Sequence, residues 1–324
     1  PDHGETSFQD ALRGEVQIAN AEIDDQILIK SDGFPTYHLA NVADDIAFGI
    51  TDVIRAEEWL ISTPKHVLIY QALGEELPRF LHVSLLRNAD KSKISKRKNP
   101  VSLDWFRQEG FLPEALLNFL ALMGWSPEDE NEVFDMDTFQ KNFRIENLST
   151  GAPIFDMTKL DWLNGMHIRR LEIEDLASRL ISEGFVPTGI ERQEILRILP
   201  LVIERMNRLS EFADKTDWFF SEPKAPPLED LIPKKSTGET SLAALGAAAN
   251  ELQKLDVFDT PSIEECLNGV LEVGGWKKPF LFMPLRFALT SRRDSPDLIE
   301  VISILGKERS CQRIQSSMKT LSES

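Results

Sequence analysis

The chain has 324 residues, of which 42% are hydrophobic and 27% are charged, and its formal net charge is −17. This composition is typical of a soluble globular protein with two or three domains, and the charge argues against tight, nonspecific nucleic-acid binding by the whole surface. No apolar run approaches the length of a membrane span and no secretory signal opens the chain, so we expect a cytoplasmic protein. The two cysteines and five scattered histidines lack disulfide or metal-ligand spacing, which predicts no zinc site.

The first 36 residues alternate polar and apolar side chains in the manner of short strands. Segments 15–18 and 26–29 are predicted as strands, and residues 31–33 give a turn signal. From Tyr37 the apolar residues recur at spacings of three and four, which predicts a helix. That helix sets Tyr37 and Asn41 on one face, where a phenol and an amide can orient a small polar ligand without adding charge.

Residues 50–54 are predicted as a buried strand that ends at Arg55. Ligands of an open α/β sheet collect beyond the carboxyl ends of its strands, so a guanidinium there can bind a carboxylate through two parallel hydrogen bonds. An arginine in this place is also a common salt-bridge partner, and both interpretations stay open. The indole of Trp59, which follows Glu58, can pack on a nucleotide or belong to the core.

A second helix is predicted to begin with Thr63-Pro64 and to end at Gly74, and a buried strand is predicted over residues 80–86. The strand leads into the most basic stretch of the chain, residues 87–98, which holds six basic side chains and one acid. Like charges repel one another, so such a stretch stays solvated until a polyanion neutralises it.

Lys93 and Lys96 lie three residues apart in this stretch, close enough for both ammonium groups to reach one phosphate chain. The hydroxyl of Ser95 can add a hydrogen bond. Charge alone, however, favours a solvated surface loop or a nonspecific RNA patch over a nucleotide site.

After the basic stretch the pattern turns helical. A helix is predicted from Pro113 to Gly124, and another is predicted from Asp156 to Leu163, where Asn164-Gly165 gives a stop signal. From residue 171 onward nearly all of the sequence is amphipathic helix. The predicted fold class is therefore α/β plus all-α.

Several segments resemble one family. Residues 93–97, Lys-Ile-Ser-Lys-Arg, resemble the KMSKS-type loop of class I aminoacyl-tRNA synthetases, and residues 31–74 resemble glutamyl-tRNA synthetase almost without a gap. Residues 282–290 and 305–309 resemble the C-terminal end of the same family, so the helical anticodon-binding domain looks complete. Glutaminyl-tRNA synthetases usually carry β-barrels in that place, which favours glutamate as the amino acid.

The resemblance implies a division into three domains. Residues 1–100 would form the C-terminal part of the Rossmann-like catalytic domain, with residues 1–36 as the tail of the acceptor-binding insertion. Residues 101–170 would form the stem-contact fold, and residues 171–324 the helical anticodon-binding domain.

The resemblance also implies site residues. Tyr37, Asn41 and Arg55 would line the glutamate pocket, with Arg55 on the side-chain carboxylate. Lys93, Ser95 and Lys96 would act in catalysis. The positions that would bind ATP are Glu58, Trp59, Leu86, Lys93, Ile94 and Lys96. Arg205 would read the third anticodon nucleotide by contacting a base edge, with Arg208 as the alternative alignment.

In this family the glutamate α-carboxylate attacks the α-phosphate of ATP, and the glutamyl group then passes to the 3′ end of tRNA(Glu). The implied partners are L-glutamate, tRNA(Glu) and ATP with its Mg²⁺, and the implied state is a monomer. No protein nucleophile is needed, because catalysis comes from positioning and from positive charge on the leaving pyrophosphate.

The His-x-Gly-His signature of class I synthetases does not occur in these 324 residues. We therefore expect this chain alone to bind tRNA but to activate glutamate poorly. The alternative is a noncatalytic tRNA-binding or regulatory protein, but pure RNA binding needs no glutamate pocket. A paralogue that glutamylates a modified tRNA base is a further alternative, although such proteins typically lack the helical anticodon domain.

Overall fold

The computed structural model describes residues 3–94 and 102–323. The chain divides into two compact units, residues 1–105 with 113–163 and residues 106–112 with 164–324. The first unit carries a small mixed sheet and the second is helical, so the predicted α/β plus all-α class is confirmed. Among the described residues, no helix combines the length and the apolar character that crossing a bilayer requires. The predicted domain boundaries at residues 100 and 170 stay a prediction.

The sheet of the first unit is built from strands that are far apart in the sequence. Its strands are β1 (Glu5–Asp10), β2 (Gly14–Ala19), β3 (Asp52–Ala56) and β4 (Arg79–Val83). Their spatial order is β2-β1-β4-β3, with β2 antiparallel to β1 and with β4 parallel to both β1 and β3. The strand β4 therefore has β1 on one side and β3 on the other.

Helix α2 (Thr63–Leu73) covers this sheet, and α1 (Tyr37–Phe48) packs against α2. Val67 of α2 packs on Phe8 and Phe80 of the sheet, and the outer side of α2 packs on α1. The predicted end of α2 at Gly74 is confirmed, because Gly74 adopts the left-handed conformation that lets its amide close the last turn. The remaining helices that begin in this part of the chain are α3 (Leu103–Gln108), α4 (Pro113–Leu122), α5 (Met136–Asn142) and α6 (Met157–Arg170).

In the second unit, α11 lies at the centre of a helical core and packs against α12, α13 and α15. The helices of this unit are α7 (Ile173–Ser182), α8 (Arg192–Val202), α9 (Glu211–Phe220), α10 (Leu228–Leu231), α11 (Gly238–Lys254), α12 (Thr260–Gly274), α13 (Lys278–Thr290), α14 (Leu298–Leu305) and α15 (Lys307–Ser322).

The prediction that Asn164-Gly165 ends α6 is wrong, because the helix continues to Arg170. The side chain of Asn164 is buried and accepts a hydrogen bond from the Leu112 amide at 2.8 Å. The side chain is therefore bound to another segment and does not compete for the backbone hydrogen bonds of its own helix. A Cβ at position 165 would lie 2.3 Å from Asn207 Oδ1, so the glycine permits a close approach. Tertiary contacts thus overrule a local stop signal.

Predictions for three extended segments also need correction. Residues 26–29 form no strand, and Ile29 makes only an isolated bridge to Pro35. The strand predicted over residues 50–54 is β3, two residues later, and Ile54 is 55% exposed instead of buried. The strand β4 covers only part of the predicted 80–86. Apolar alternation predicts that a segment is extended but does not say whether a neighbouring strand exists to pair with it.

Candidate functional site

Two of the side chains predicted to line a glutamate pocket, those of Tyr37 and Arg55, lie near Trp59 at one edge of the sheet. Tyr37 lies in the first turn of α1, Arg55 lies near the end of β3, and Trp59 lies in the 3-10 turn that follows. The Tyr37 and Trp59 rings are 5.1 Å apart, and Arg55 Cζ is 5.8 Å from the centroid of the Trp59 ring. Asn41 is partly buried one turn further along α1. The structure thus brings Tyr37, Arg55 and Trp59 together.

The guanidinium of Arg55 is held by three uncharged side chains. Its Nε donates to His82 Nε2 at 3.1 Å, and its Nη1 lies 3.3 Å from His66 Nδ1. Its Nη2 donates to Thr63 Oγ1 at 2.7 Å. Within residues 3–94 and 102–323, no carboxylate oxygen forms an ion pair with this guanidinium. Among these residues, the positive charge of Arg55 has no direct counter-ion.

Thr63 is the first residue of α2, where the sequence predicted only a helix start with proline next to it. Its hydroxyl is fully buried and donates to the Trp59 carbonyl at 3.0 Å while it accepts from Arg55. The Thr63 hydroxyl therefore binds the guanidinium of Arg55 and does not cap the helix.

Two more contacts near the arginine, one buried and one partly buried, hold its histidine partners. His82 Nδ1 lies 2.6 Å from Asp10 Oδ2, and His66 Nε2 lies 2.8 Å from His38 Nδ1. Burial, and then the nearby Arg55 charge, lowers the pKa of His66 to about 4. Burial is also the largest cause that lowers the pKa of His82 and of His38. The histidines around Arg55 are therefore uncharged at neutral pH.

The beginning of the basic stretch joins the positions predicted for ATP. Lys93 Nζ lies 2.8 Å from Glu58 Oε2, and both side chains are well exposed. The Ile94 amide donates to the Leu86 carbonyl at 3.5 Å. Ser95 and Lys96 lie outside the described residues.

The two arginines proposed for anticodon recognition lie in the second unit. Arg205 forms a part-exposed ion pair with Asp294. Arg208 pairs with Glu109 at 2.6 Å and lies over the Phe111 ring at 4.7 Å. Arg208 is therefore anchored in the packing of its own unit, whereas the Arg205 pair is more open to solvent.

The sequence pattern did not identify Asp10, Thr63 or the three histidines as members of this site. The histidines were interpreted as scattered because their spacing fits no metal site. One signal was present: His82 interrupts an apolar run that was predicted to be buried, and a buried histidine needs a polar partner.

Comparisons with known proteins show the family to which the chain belongs. Residues 1–162 match the family model for the catalytic domain of class I tRNA synthetases (E and Q), and residues 172–318 match a model for an anticodon binding domain. The chain is 42% identical to the glutamate–tRNA ligase of Deinococcus radiodurans, over 98% of this chain and 66% of that protein. It is 44% identical to the glutamate–tRNA ligase of Thermus thermophilus, over 98% of this chain and 68% of that protein.

The crystal structure of a glutamate tRNA ligase from Elizabethkingia meningosepticum in complex with its amino acid matches with a TM-score of 0.89 at 30% identity. The match covers 99% of this chain and 67% of that chain. The chain thus spans about two thirds of the length of these relatives. These matches confirm the resemblance found in the sequence, and the chain belongs to the glutamate–tRNA ligase family of class I aminoacyl-tRNA synthetases.

Proposed function

We propose that this chain binds L-glutamate, ATP and tRNA(Glu) for the glutamate–tRNA ligase reaction. In that reaction, the α-carboxylate of glutamate attacks the α-phosphate of ATP and displaces pyrophosphate. The terminal ribose hydroxyl of tRNA(Glu) then attacks the glutamyl carbonyl and releases AMP. The relatives are named for this activity, and we expect a monomer that acts in the cytoplasm.

The observation that carries the proposal is the lack of an anionic partner for Arg55 among the described residues. A partly buried cation without a counter-ion is costly, and an anionic ligand offsets that cost. Three of the five N–H donors are occupied by His82, His66 and Thr63, and one N–H on each terminal nitrogen remains. Two donors on one guanidinium suit the two oxygens of a carboxylate, so the side chain of glutamate fits this place.

The neighbouring rings favour the same ligand. The indole of Trp59 lies 5.8 Å from Arg55 Cζ and packs on the Tyr37 ring at 5.1 Å, and a charge-assisted hydrogen bond is stronger beside such apolar groups than in open water. Asn41 and the Tyr37 hydroxyl add polar groups without adding charge. Glutamine would leave the Arg55 charge unneutralised, which gives a reason for preferring glutamate.

Among the residues that the structure describes, we propose that Lys93 binds the phosphates of MgATP. Its present partner, Glu58, is exposed, and an exposed ion pair contributes little, on the order of 0–1 kcal/mol. Lys93 can therefore exchange Glu58 for a phosphate at small cost. Together with Lys96, and with the hydroxyl of Ser95, it would neutralise charge that develops on the leaving pyrophosphate.

Glutamate binding is tested most directly with a nonhydrolysable glutamyl-adenylate analogue and its glutaminyl counterpart, by isothermal titration calorimetry on this chain. We expect the glutamyl analogue to bind more tightly. Arg55→Gln should weaken its binding about 10- to 100-fold, since hydrogen bonds to a charged group are worth about 1.5–3 kcal/mol. The matched control is Arg79→Gln on the neighbouring strand, because Arg79 already pairs with Asp52.

Filter binding of tRNA(Glu) provides the second measurement. Arg205→Ala should weaken binding and relax discrimination at the third anticodon position, whereas Arg208→Ala should not relax it. Binding of tRNA without any preference for the glutamyl analogue would refute the ligase assignment and support a noncatalytic tRNA-binding protein.

A further inference from the structure

We propose that Asp10 and His82 are positioning residues for Arg55. Asp10 fixes the tautomer of His82, and His82 then accepts a hydrogen bond that orients the guanidinium toward its carboxylate ligand. The role toward glutamate rests on the proposed function, whereas the tautomer is a property of the protein without ligand.

The three residues lie on three adjacent strands. Arg55 of β3 and His82 of β4 are register partners in the parallel pair. Asp10 is the last residue of β1, the other neighbour of β4. The side chains of Asp10 and His82 are both fully buried, so water does not compete for their contact. The strand register places the imidazole beside the guanidinium, and the Asp10 side chain, whose own register partner is Phe80, reaches the imidazole through a 2.6 Å contact.

The contacts of Asp10 determine which nitrogen of His82 carries the proton. Asp10 Oδ1 accepts hydrogen bonds from the Leu12 and Arg13 amides, both at 3.0 Å. Asp10 Oδ2 accepts from the His82 amide at 3.1 Å and lies 2.6 Å from His82 Nδ1. A carboxylate accepts and does not donate, so Nδ1 must carry the hydrogen. In the neutral ring, Nε2 then carries a lone pair, as its contact with Arg55 requires, and the Thr63 hydroxyl lies 3.1 Å from the same nitrogen.

The other side of the guanidinium requires the opposite tautomer. Arg55 Nη1 can only donate, so the facing nitrogen, His66 Nδ1, must be an acceptor. The hydrogen of His66 is then on Nε2, from which it is donated to His38 Nδ1. Two neutral imidazoles of opposite tautomer therefore flank one cation, and each presents a lone pair to it.

This arrangement explains why the acceptors around Arg55 are neutral. A carboxylate in the place of His82 would pair with the guanidinium and compete with the ligand carboxylate. An imidazole accepts one hydrogen bond and fixes the plane of the guanidinium, but it leaves the charge available. The negative charge of Asp10 lies on the far side of His82, where the carboxylate orients the imidazole and forms no ion pair with Arg55.

Asp10→Asn is the sharpest variant: the carbonyl of asparagine can still accept from the Leu12 and Arg13 amides, while the His82 amide loses its acceptor. Its NH₂ group would face His82 Nδ1, which would then have to accept, and the ring hydrogen would move to Nε2. Nε2–H would point at Arg55 Nε–H, and two donors repel. We expect the guanidinium to lose this anchor while the fold is retained.

The tautomers are measured by long-range ¹⁵N–¹H correlation spectra of the histidine-labelled chain without ligand. We expect His82 as the Nδ1–H tautomer and His66 as the Nε2–H tautomer, with His82→Gln and His66→Gln used for assignment. Asp10→Asn should convert His82 to the Nε2–H form, and Asp52→Asn, in an exposed pair on β3, should not. A His82 that is doubly protonated or of the Nε2–H form in the parent chain would overturn the proposal.

Affinity for the glutamyl-adenylate analogue gives the second readout. One misdirected hydrogen bond corresponds to about a tenfold loss of affinity, which we expect for Asp10→Asn. His82→Gln keeps an acceptor and should bind more tightly than His82→Leu, a difference that a purely structural role would not produce. Equal affinity of Asp10→Asn and the parent chain would overturn the positioning role. Failure of the parent chain to bind the analogue would instead refute the proposed function and leave the tautomer result standing.

Discussion

Arg313 of α15 is buried and Arg55 of β3 is partly buried, and burial is the largest cause that lowers the pKa of each guanidinium. Their partners differ. Arg313, which is 3% exposed, donates to the carbonyls of Trp218 and Leu289, each at 2.7 Å, and to that of Ser221 at 3.0 Å. It also forms an ion pair with Glu222. Arg55 has neither a main-chain carbonyl nor a carboxylate as a described partner.

The difference separates two uses of a buried arginine. In the second unit, Arg313 joins the ends of α9 and α13 to α15, and its charge and donors are used within the protein. In the first unit, Arg55 is supported by side chains that orient it without neutralising it. A buried arginine surrounded by neutral acceptors is therefore a better indication of an anion site than burial or pKa alone.

Replacing Arg313 with methionine should have the largest effect on stability. Three main-chain carbonyls and Glu222 would lose their donor inside the protein, and the expected cost is about 3–5 kcal/mol. Urea unfolding followed by circular dichroism measures it, with the exposed Arg293→Met as the matched control. A decrease in the free energy of unfolding as small as that of the control would mean that Arg313 does not stabilise the packing of these helices.

Because the His66 ring is uncharged in the folded protein, the free energy of unfolding should depend on pH. In the unfolded chain the ring takes up a proton near pH 6.5, but in the folded protein its pKa is about 4. The free energy of unfolding should therefore fall as the pH is lowered from 6.5 to 4, because the unfolded state binds more protons in that window. His66→Gln should remove a part of this fall on the order of 3 kcal/mol.

The exposed His3→Gln is the control for that titration, because it also removes one histidine from the chain. If His66→Gln and His3→Gln give the same pH profile, then His66 does not resist protonation, and Arg55 is not surrounded by neutral acceptors.

Arg55→Gln should change the free energy of unfolding by less than about 1 kcal/mol, although it weakens ligand binding. Glutamine can still donate to one of the neutral acceptors, and the variant no longer buries an unpaired charge. The same urea unfolding experiment applies, with Arg313→Met as the contrasting variant. A destabilisation comparable to that of Arg313→Met would remove the distinction between the two arginines.

The smallest effect is expected for Glu58→Gln. The side chains of Lys93 and Glu58 are 63% and 49% exposed, so loss of their ion pair should change stability by less than about 1 kcal/mol. The difference in the free energy of unfolding between the parent chain and the variant should also decrease at high salt, because salt screens exposed charges. An effect of several kcal/mol, or one that salt does not reduce, would show that Lys93 is not readily released.

The sequence predicted the part of the site that is local in the chain. Tyr37, Arg55 and Trp59 lie within 23 positions, and the resemblance to the family covers all three. Asp10 lies 72 positions before His82, and their contact depends on the pairing of β1 with β4, which no local pattern specifies. The same holds for the fold. Gly74 ends a helix because its signal is local, whereas Asn164 fails as a stop because of a contact with Leu112.

The position of β4 between β1 and β3 suggests a way to assess how much of a protein preparation is correctly folded. His82 contacts a residue on each neighbouring strand, so the proposed carboxylate site forms only when three strands have found their correct register. A slip of β4 by one residue would turn His82 to the opposite face of the sheet and remove it from both Arg55 and Asp10. Titration with a tight glutamyl ligand therefore counts the molecules in a preparation whose sheet is correctly paired.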